Sequence, residues 1–442
     1  MTPSREPIDP DELLARHREV LPAWLALYYE RPIELVKGRG TTVWDSEGNE
    51  YLDLFGGIVT TISGHAVDSL VGALSEQADR IAHTSTLYLI SSMVELAERL
   101  VALSPVAKPA KAFFVGSGTE AVEAALLMAT SARRSNQVIA LRNSYHGRGF
   151  GAIAVTGNRA WSATSLSPLS VSYALAPYCY RCPLKLEYPG CGIACAEDVR
   201  NVIETTTSGD VAAMIAEPIQ GVGGFVAPPR EYFAKVKSIL DEYSIPLIID
   251  EVQTGFGRTG EAFWGADLYG VTPDLITCAK GLGNGMAIGA VVGRAELVDA
   301  VSANSISTFG GNPIATTVAL ANLDYLESEG LQANAERVGK LLLEGLDDLR
   351  ERHEIVGDVR GAGLMIGVEL VTDKASRTPH PAAAAEVMEA CRRRGVLIGK
   401  GGLYGSVLRL SPPLVLTEDE ARRGIEVLDE AVAEAAAGGG SR

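Results

Sequence analysis

Short apolar runs punctuate the middle of the chain, spaced so that a helix fits between several of them. Ala112-Phe113-Phe114-Val115, Val138-Ile139-Ala140-Leu141, Ala213-Met214-Ile215-Ala216, Pro246-Leu247-Ile248-Ile249 and Leu275-Ile276-Thr277 show no polar alternation, and Val291-Val292 belong to a further run. Strands without alternation are buried on both faces. Over residues 119–134, Ala121, Val122, Ala125, Leu126 and Ala129 share one helical face. Buried strands separated by helices predict an α/β fold, with a mostly parallel central sheet covered on both sides.

The pattern changes toward both ends. From about residue 331 it predicts a helix over 331–353, then the alternating run Leu364-Met365-Ile366-Gly367-Val368-Glu369-Leu370, a helix over 381–394 and two short strands. Thr417-Glu418-Asp419-Glu420 reads as a capping box opening the last helix. This is a small α+β unit packed on a large domain. The expected division is residues 1–70 as an N-terminal segment contributing to the small domain, 71–330 as the large domain, and 331–442 as the C-terminal small domain. The terminal GGGSR is expected to be disordered.

With 442 residues, 47% hydrophobic and 21% charged, the chain can bury a large core. A net charge of -16 argues against nucleic acid or an acidic membrane as the main partner. The opening MTPSREPIDPDELLARHREV has no apolar run of signal-peptide length, and no stretch is long and apolar enough to span a membrane. A cytoplasmic location is therefore expected, with reduced thiols. Cys179, Cys182, Cys191 and Cys195 cluster in CYRCPLKLEYPGCGIAC. The opening CxxC resembles half of a zinc site, but the second pair is CxxxC with no supporting His. The expected reading is a structured loop without metal; a zinc centre is the alternative.

In open α/β sheets ligands bind beyond the carboxyl ends of the strands. Those ends carry Gly116-Ser117-Gly118-Thr119, Tyr145-His146-Gly147, Glu217, Asp250-Glu251 and Lys280. The glycine turn follows a strand and opens a helix, where free N–H groups and the helix dipole hold a phosphate. It also fits a dinucleotide fingerprint, which makes a nicotinamide oxidoreductase a rival; that rival expects an acid after the next strand, where Arg142 and Asn143 stand instead. A strand-end acid and a strand-end lysine are costly unless they meet partners. Pyridoxal phosphate (PLP) offers three such handles: a phosphate, a carbonyl that a buried lysine amine attacks, and a ring nitrogen that pairs with an acid.

Several motifs resemble those of the class III aminotransferases: GSGTEA (116–121), SYHG (144–147), EPIQG (217–221), DEVQTGFGRTG (250–260), AKGLG (279–283), TFGGNP (308–313) and LRL (408–410). The resemblance runs from Trp44-Asp45 to the last helix. It implies the PLP-dependent transferase fold type I, with the small domain built from both termini. It also implies that Lys280 is the Schiff-base lysine and later the proton carrier, and that Asp250 is the partner of the pyridine nitrogen. Ser117, Gly118 and Thr119 would hold the phosphate. Val252 would pack under the ring, Gln253 would approach its phenolic oxygen, and Tyr145 would stack over it with His146 beside. Thr308 would reach the phosphate of the neighbouring subunit, which implies a homodimer. Arg409 resembles the carboxylate anchor, and Glu217 the acid that neutralises it for ω-amino substrates.

The chain departs from the family after Gly64-His65, reading Ala66-Val67-Asp68-Ser69 where many members carry His-Pro. Gly57-Ile58-Val59, Leu87-Tyr88 and Trp161 line the entrance or pack in the core, the core being expected. The implied reaction is ping-pong transfer of an amino group from an amino acid or ω-amine to pyruvate, glyoxylate or 2-oxoglutarate. The likeness leans toward the alanine–glyoxylate and 4-aminobutyrate branch. An aminomutase, amino-acid epimerase or decarboxylase on the same scaffold is the alternative.

Overall fold

A computed structural model describes residues 8–438; the rest of the GGGSR tail lies outside the described residues. The central sheet runs in the order Ala110–Val115, Gly289–Arg294, Leu275–Cys278, Leu247–Asp250, Val211–Ala216, Gln137–Leu141, Ser170–Ala174. All of its strands are parallel except Gly289–Arg294, which is antiparallel to both neighbours. Alternate residues of one strand serve two different cores, because successive side chains point to opposite faces. Ile139, Met214, Ile249 and Ile276 join the larger core; Val138, Ala213, Ile248 and Leu275 join a second one with Ala121, Val122 and Ala125 of helix Gly118–Arg133. Helices Ala194–Thr206 and Tyr232–Glu242 bury Val199, Ile203, Phe233 and Val236 in the larger core.

Two smaller sheets are built from the ends of the chain. One is antiparallel, in the order Val356–Ala362, Met365–Leu370, Val407–Leu410, Gly399–Gly401. The other sets Leu35–Arg39, Thr42–Asp45 and Glu50–Asp53 beside Val396–Leu397, which pairs in parallel with the last of these. N-terminal and C-terminal segments thus share one sheet. Helices Leu331–Arg352, Pro381–Arg393 and Glu418–Gly438 pack around these strands. Among the described residues no helix is long and apolar enough to cross a membrane.

Arg258 fastens the small sheets to the large one. Fully buried, it donates through Nη1 to the carbonyls of Leu364 (3.2 Å) and Pro412. Burial lowers its pKa to about 9. Pro412 lies two residues beyond strand Val407–Leu410, so this anchor also ties down the strand that carries Arg409.

The patterned strands and helices form where expected, within a residue or two at their ends. Several elements escaped the pattern, among them strands Val356–Ala362 and Ser170–Ala174 and helices Asp68–Arg80 and Ser91–Leu103. Ser170–Ala174 (SVSYA) pairs in parallel at the edge of the central sheet, where one flank meets no strand and the low hydrophobicity of an edge suffices. The capping box forms as read: Glu420 N donates to Thr417 Oγ1 at 3.3 Å and Thr417 N to Glu420 Oε2 at 2.8 Å. Thr417→Ala is therefore expected to lower stability by about 1 kcal/mol, seen as a lower urea midpoint at fixed protein concentration. An unchanged midpoint would mean that packing of Ala421 and Leu428 alone holds the helix.

Candidate active site

Because the strands run parallel, their carboxyl ends meet along one edge, and most of the candidate residues follow directly from them. Ser117 caps helix Gly118–Arg133: its Oγ accepts from Glu120 N at 3.2 Å, while Glu120 Oε2 accepts from Gly116 N at 2.9 Å. Among the described residues the N–H groups of Gly118 and Thr119 find no acceptor, as expected for the first turn of a helix. They open an anion cup. A Cβ at Gly118 would stand 3.0 Å from Val252 Cγ1, so only glycine lets the helix start this close to the turn after Asp250.

Asp250 ends strand Leu247–Asp250 and is buried. Its Oδ2 lies 2.7 Å from His146 Nδ1, and its Oδ1 accepts from Thr277 Oγ1 at 3.0 Å and Val252 N at 3.2 Å. Three groups from three segments therefore set its direction. His146 Nε2 is buried with no protein partner. Glu251, the next residue, turns away and accepts from Gly265 N, Ala266 N and Thr254 Oγ1, a structural role.

Lys280 follows strand Leu275–Cys278 with a left-handed φ of 43°. Its pKa falls to about 8, through burial first and then the nearby Arg409, against the pull of Asp250 and Glu217. A neutral amine is thus available near physiological pH. Arg409 is 3% exposed; its guanidinium lies 4.5 Å from the Phe225 ring centroid and 5.4 Å from that of Phe55. Nη2 donates to Gln253 Oε1 at 3.2 Å, and Nε has no partner. No carboxylate pairs with it among the described residues, and burial lowers its pKa to about 10. Gln253 therefore turns its carbonyl oxygen toward Arg409.

Glu217 does not neutralise Arg409 in this structure. Its two oxygens are taken by Tyr145 N (2.9 Å) and Gly221 N (2.8 Å), and burial raises its pKa to about 7. The Tyr145 ring meets Trp161 edge-on at 5.5 Å. Thr308 is exposed on a loop outside this cluster. It borders a surface cavity of about 620 Å³ shared with Gly116, Glu120 and Phe309.

The expectation that the entrance candidates are core residues is corrected by their exposure: Leu87 is 76%, Tyr88 69%, Trp161 51% and Ile58 48% exposed, and only Val59 is buried. They flank loops rather than regular elements, where no core strand or helix covers them. Cys179, Cys182, Cys191 and Cys195 lie around one small apolar cleft as free thiols, and burial pushes Cys195 up to about 11. Among the described residues no group of three or more His, Cys, Asp or Glu side chains is placed to hold a metal ion. Sequence reading missed Thr277, Phe225 and Phe55. Thr277 stands beside Asp250 by strand register, and Phe225 enters from a loop with φ 52°.

Anion cup, buried amine, oriented acid and open guanidinium together fit PLP and a carboxylate substrate. In the cofactor-free protein, acetylation of Lys280 is expected to rise about tenfold per pH unit and to level off above a midpoint near 8, whereas surface lysines level off near 10.4. A Lys280 midpoint near 10 would remove the electrostatic account.

The family model for Aminotransferase class-III matches residues 27–432. The chain is 39% identical to the mitochondrial alanine–glyoxylate aminotransferase 2 homolog 2 of Arabidopsis thaliana, covering 95% of this chain and 87% of that protein. It is 37% identical to the leucine/methionine racemase of Thermococcus litoralis, covering 96% of each. An (S)-enantioselective ω-transaminase from Thermomicrobium roseum superposes with a TM-score of 0.89 at 35% identity, covering 97% of this chain and 100% of that one. The geometry and these likenesses agree: the chain belongs to the class III aminotransferases, enzymes that move amino groups with PLP.

Proposed function

We propose that Lys280 is the lysine that binds PLP as a Schiff base, and that Arg409 holds the carboxylate of an α-keto acid acceptor (pyruvate, glyoxylate or 2-oxoglutarate). The amino group comes from an amino acid or ω-amine in a ping-pong cycle. One observation carries the acceptor reading: Arg409 is buried against Phe225 and Phe55 with no carboxylate of its own, since Glu217 is held by two backbone N–H groups. A buried cation left open in this way favours a planar carboxylate, which a guanidinium binds through two parallel hydrogen bonds.

When bound, PLP supplies the electron sink that lets a Cα–H bond of the donor ionise. Lys280, neutral above about pH 8, would be the group that takes up and returns that proton. Asp250, directed by His146, Thr277 and the Val252 N–H, would pair with the ring nitrogen and keep it protonated. Gly118 and Thr119 offer N–H groups to the phosphate, with Ser117 at the same helix end. Val252, which stands against Gly118, and Tyr145 would flank the ring, and Gln253, bonded to Arg409, would approach its phenolic oxygen. Glu217 stands in electrostatic reach of both Lys280 and Arg409, where it tunes them as substrate charge comes and goes.

A homodimer with a shared site fits the surface. Leu87, Tyr88, Leu89, Ile306 and Phe309 are all more than half exposed, and the His83 and Phe309 rings, 5.3 Å apart, join the two loops into one patch. Such a patch marks an interface, and Thr308 at its edge would serve the partner's phosphate. The same reading divides the chain near residues 70 and 330. Free thiols at all six cysteines support a reducing compartment such as the cytoplasm.

The test is a half-reaction assay. The visible band of the PLP-loaded protein should fade with one of β-alanine, 4-aminobutyrate, ornithine or L-alanine, and return with pyruvate, glyoxylate or 2-oxoglutarate. Arg409→Lys should raise the KM for the keto acid about 10- to 100-fold, the loss of a charge-assisted contact of about 1.5–3 kcal/mol. Inversion of an L-amino acid with no keto acid consumed would favour the racemase likeness instead.

A further inference from the structure

The turn that carries Lys280 is held from behind by an asparagine outside the cofactor cluster. Lys280 and Asn284 bracket this turn, and both are left-handed, with φ of 43° and 45°. For residues with a Cβ that conformation costs about 1–3 kcal/mol and persists only where neighbours impose it. The turn's own bonds, Leu282 N to Ala279 O at 2.9 Å and Gly283 N to Lys280 O at 3.0 Å, do not reach beyond it.

Asn322 supplies the outside hold. It sits on helix Pro313–Ser328, is 0% exposed, and donates through Nδ2 to Gly281 O at 2.7 Å and Leu282 O at 3.2 Å. Carbonyls only accept, so the amide nitrogen must face them and Oδ1 must face away. There it accepts from Ser63 Oγ at 2.6 Å. Ser63 is bound to the same turn a second time, since Ser63 N donates to Asn284 Oδ1 at 2.9 Å and Asn284 Nδ2 to Gly64 O at 3.0 Å. Between the two links, a Cβ at Gly281 would lie 3.0 Å from Ile62 Cδ1, so no slack exists there. Ser63 closes the segment that begins at Phe55, the ring against Arg409. The lock thus sets the Lys280 turn relative to the wall of the carboxylate site.

We propose that Asn322, oriented by Ser63, is a positioning residue that sets where the Lys280 amine stands for proton transfer. It acts through the Gly281 and Leu282 carbonyls and touches neither substrate nor cofactor. The inference rests on Lys280 being the PLP lysine. A misplacement of about 1 Å in a proton carrier costs about 100-fold in rate, while the carboxylate site and phosphate cup, held by other bonds, keep their affinity.

Asn322→Asp keeps the acceptor for Ser63 and removes the two donations; Ser63→Ala removes only the orienting hydroxyl and serves if the first variant does not fold. Each is compared with the parent in circular dichroism, in the pH midpoint of the visible band of the PLP-loaded protein, and in turnover of the donor that discharges that band. The expected result is an intact fold, a band midpoint moved by about half a pH unit or more, and kcat lowered about 10- to 100-fold for Asn322→Asp and less for Ser63→Ala, with donor KM within about threefold. An α-deuterated donor should show a larger isotope effect on kcat. A folded variant with unmoved band midpoint and isotope effect overturns the proposal, even if kcat falls, because a lower fraction of active protein would explain it. Lys280→Ala separates the two readings: PLP attachment and turnover surviving in that variant would defeat the Lys280 assignment itself.

Discussion

Arg409, Asp250 and Glu217 are buried at one edge of a largely parallel sheet with Lys280 half-buried among them, and much of the surrounding structure exists to make that tolerable. Burial pushes both Lys280 and Arg409 toward their neutral forms, and Arg409 adds to the push on Lys280; Glu217 pulls against this at both, and Asp250 at Lys280. Isolated buried charge is expensive. Here each acid is fixed by hydrogen bonds from backbone or side chains, while among the described residues the Nε of Arg409 is left without a partner. That asymmetry prepares the pocket for an anionic cofactor and a carboxylate substrate.

The fold explains how such residues can be held without collapsing together. Val115, Ala216, Asp250 and Cys278 end strands whose alternate residues are locked in two separate cores, so the polar residues that follow cannot retreat into either. Arg409 arrives from a different sheet. Its position depends on the Arg258 bonds to Leu364 and Pro412 and on Phe225 and Phe55 on either side. Large and small sheets therefore meet at Arg409, and the Ser63–Asn322 lock ties the same wall back to Lys280.

The parts of this arrangement legible in the sequence are those governed by local pattern. Unalternated runs such as Val138-Ile139-Ala140-Leu141 mark strands buried on both faces, and the residues after them mark the ligand edge. The glycine turn at 116–119 and the Thr417–Glu420 box are likewise local chemistry. What stayed hidden depends on register or on long-range packing. Thr277 meets Asp250 only because their strands pair at that position. The two backbone N–H groups that hold Glu217, those of Tyr145 and Gly221, come from two loops that no local pattern marks. Leu87, Tyr88 and Trp161 look like core in a one-dimensional reading because hydrophobicity alone does not say which apolar residues the fold covers.

The central claim is that Lys280, rather than any other lysine, holds the cofactor. Borohydride reduction of the PLP-loaded protein, followed by proteolysis and mass spectrometry, tests it most directly. The account requires one pyridoxyl-lysine, in the peptide containing Ala279-Lys280-Gly281. A label on a different lysine, or none despite a visible band, would contradict it.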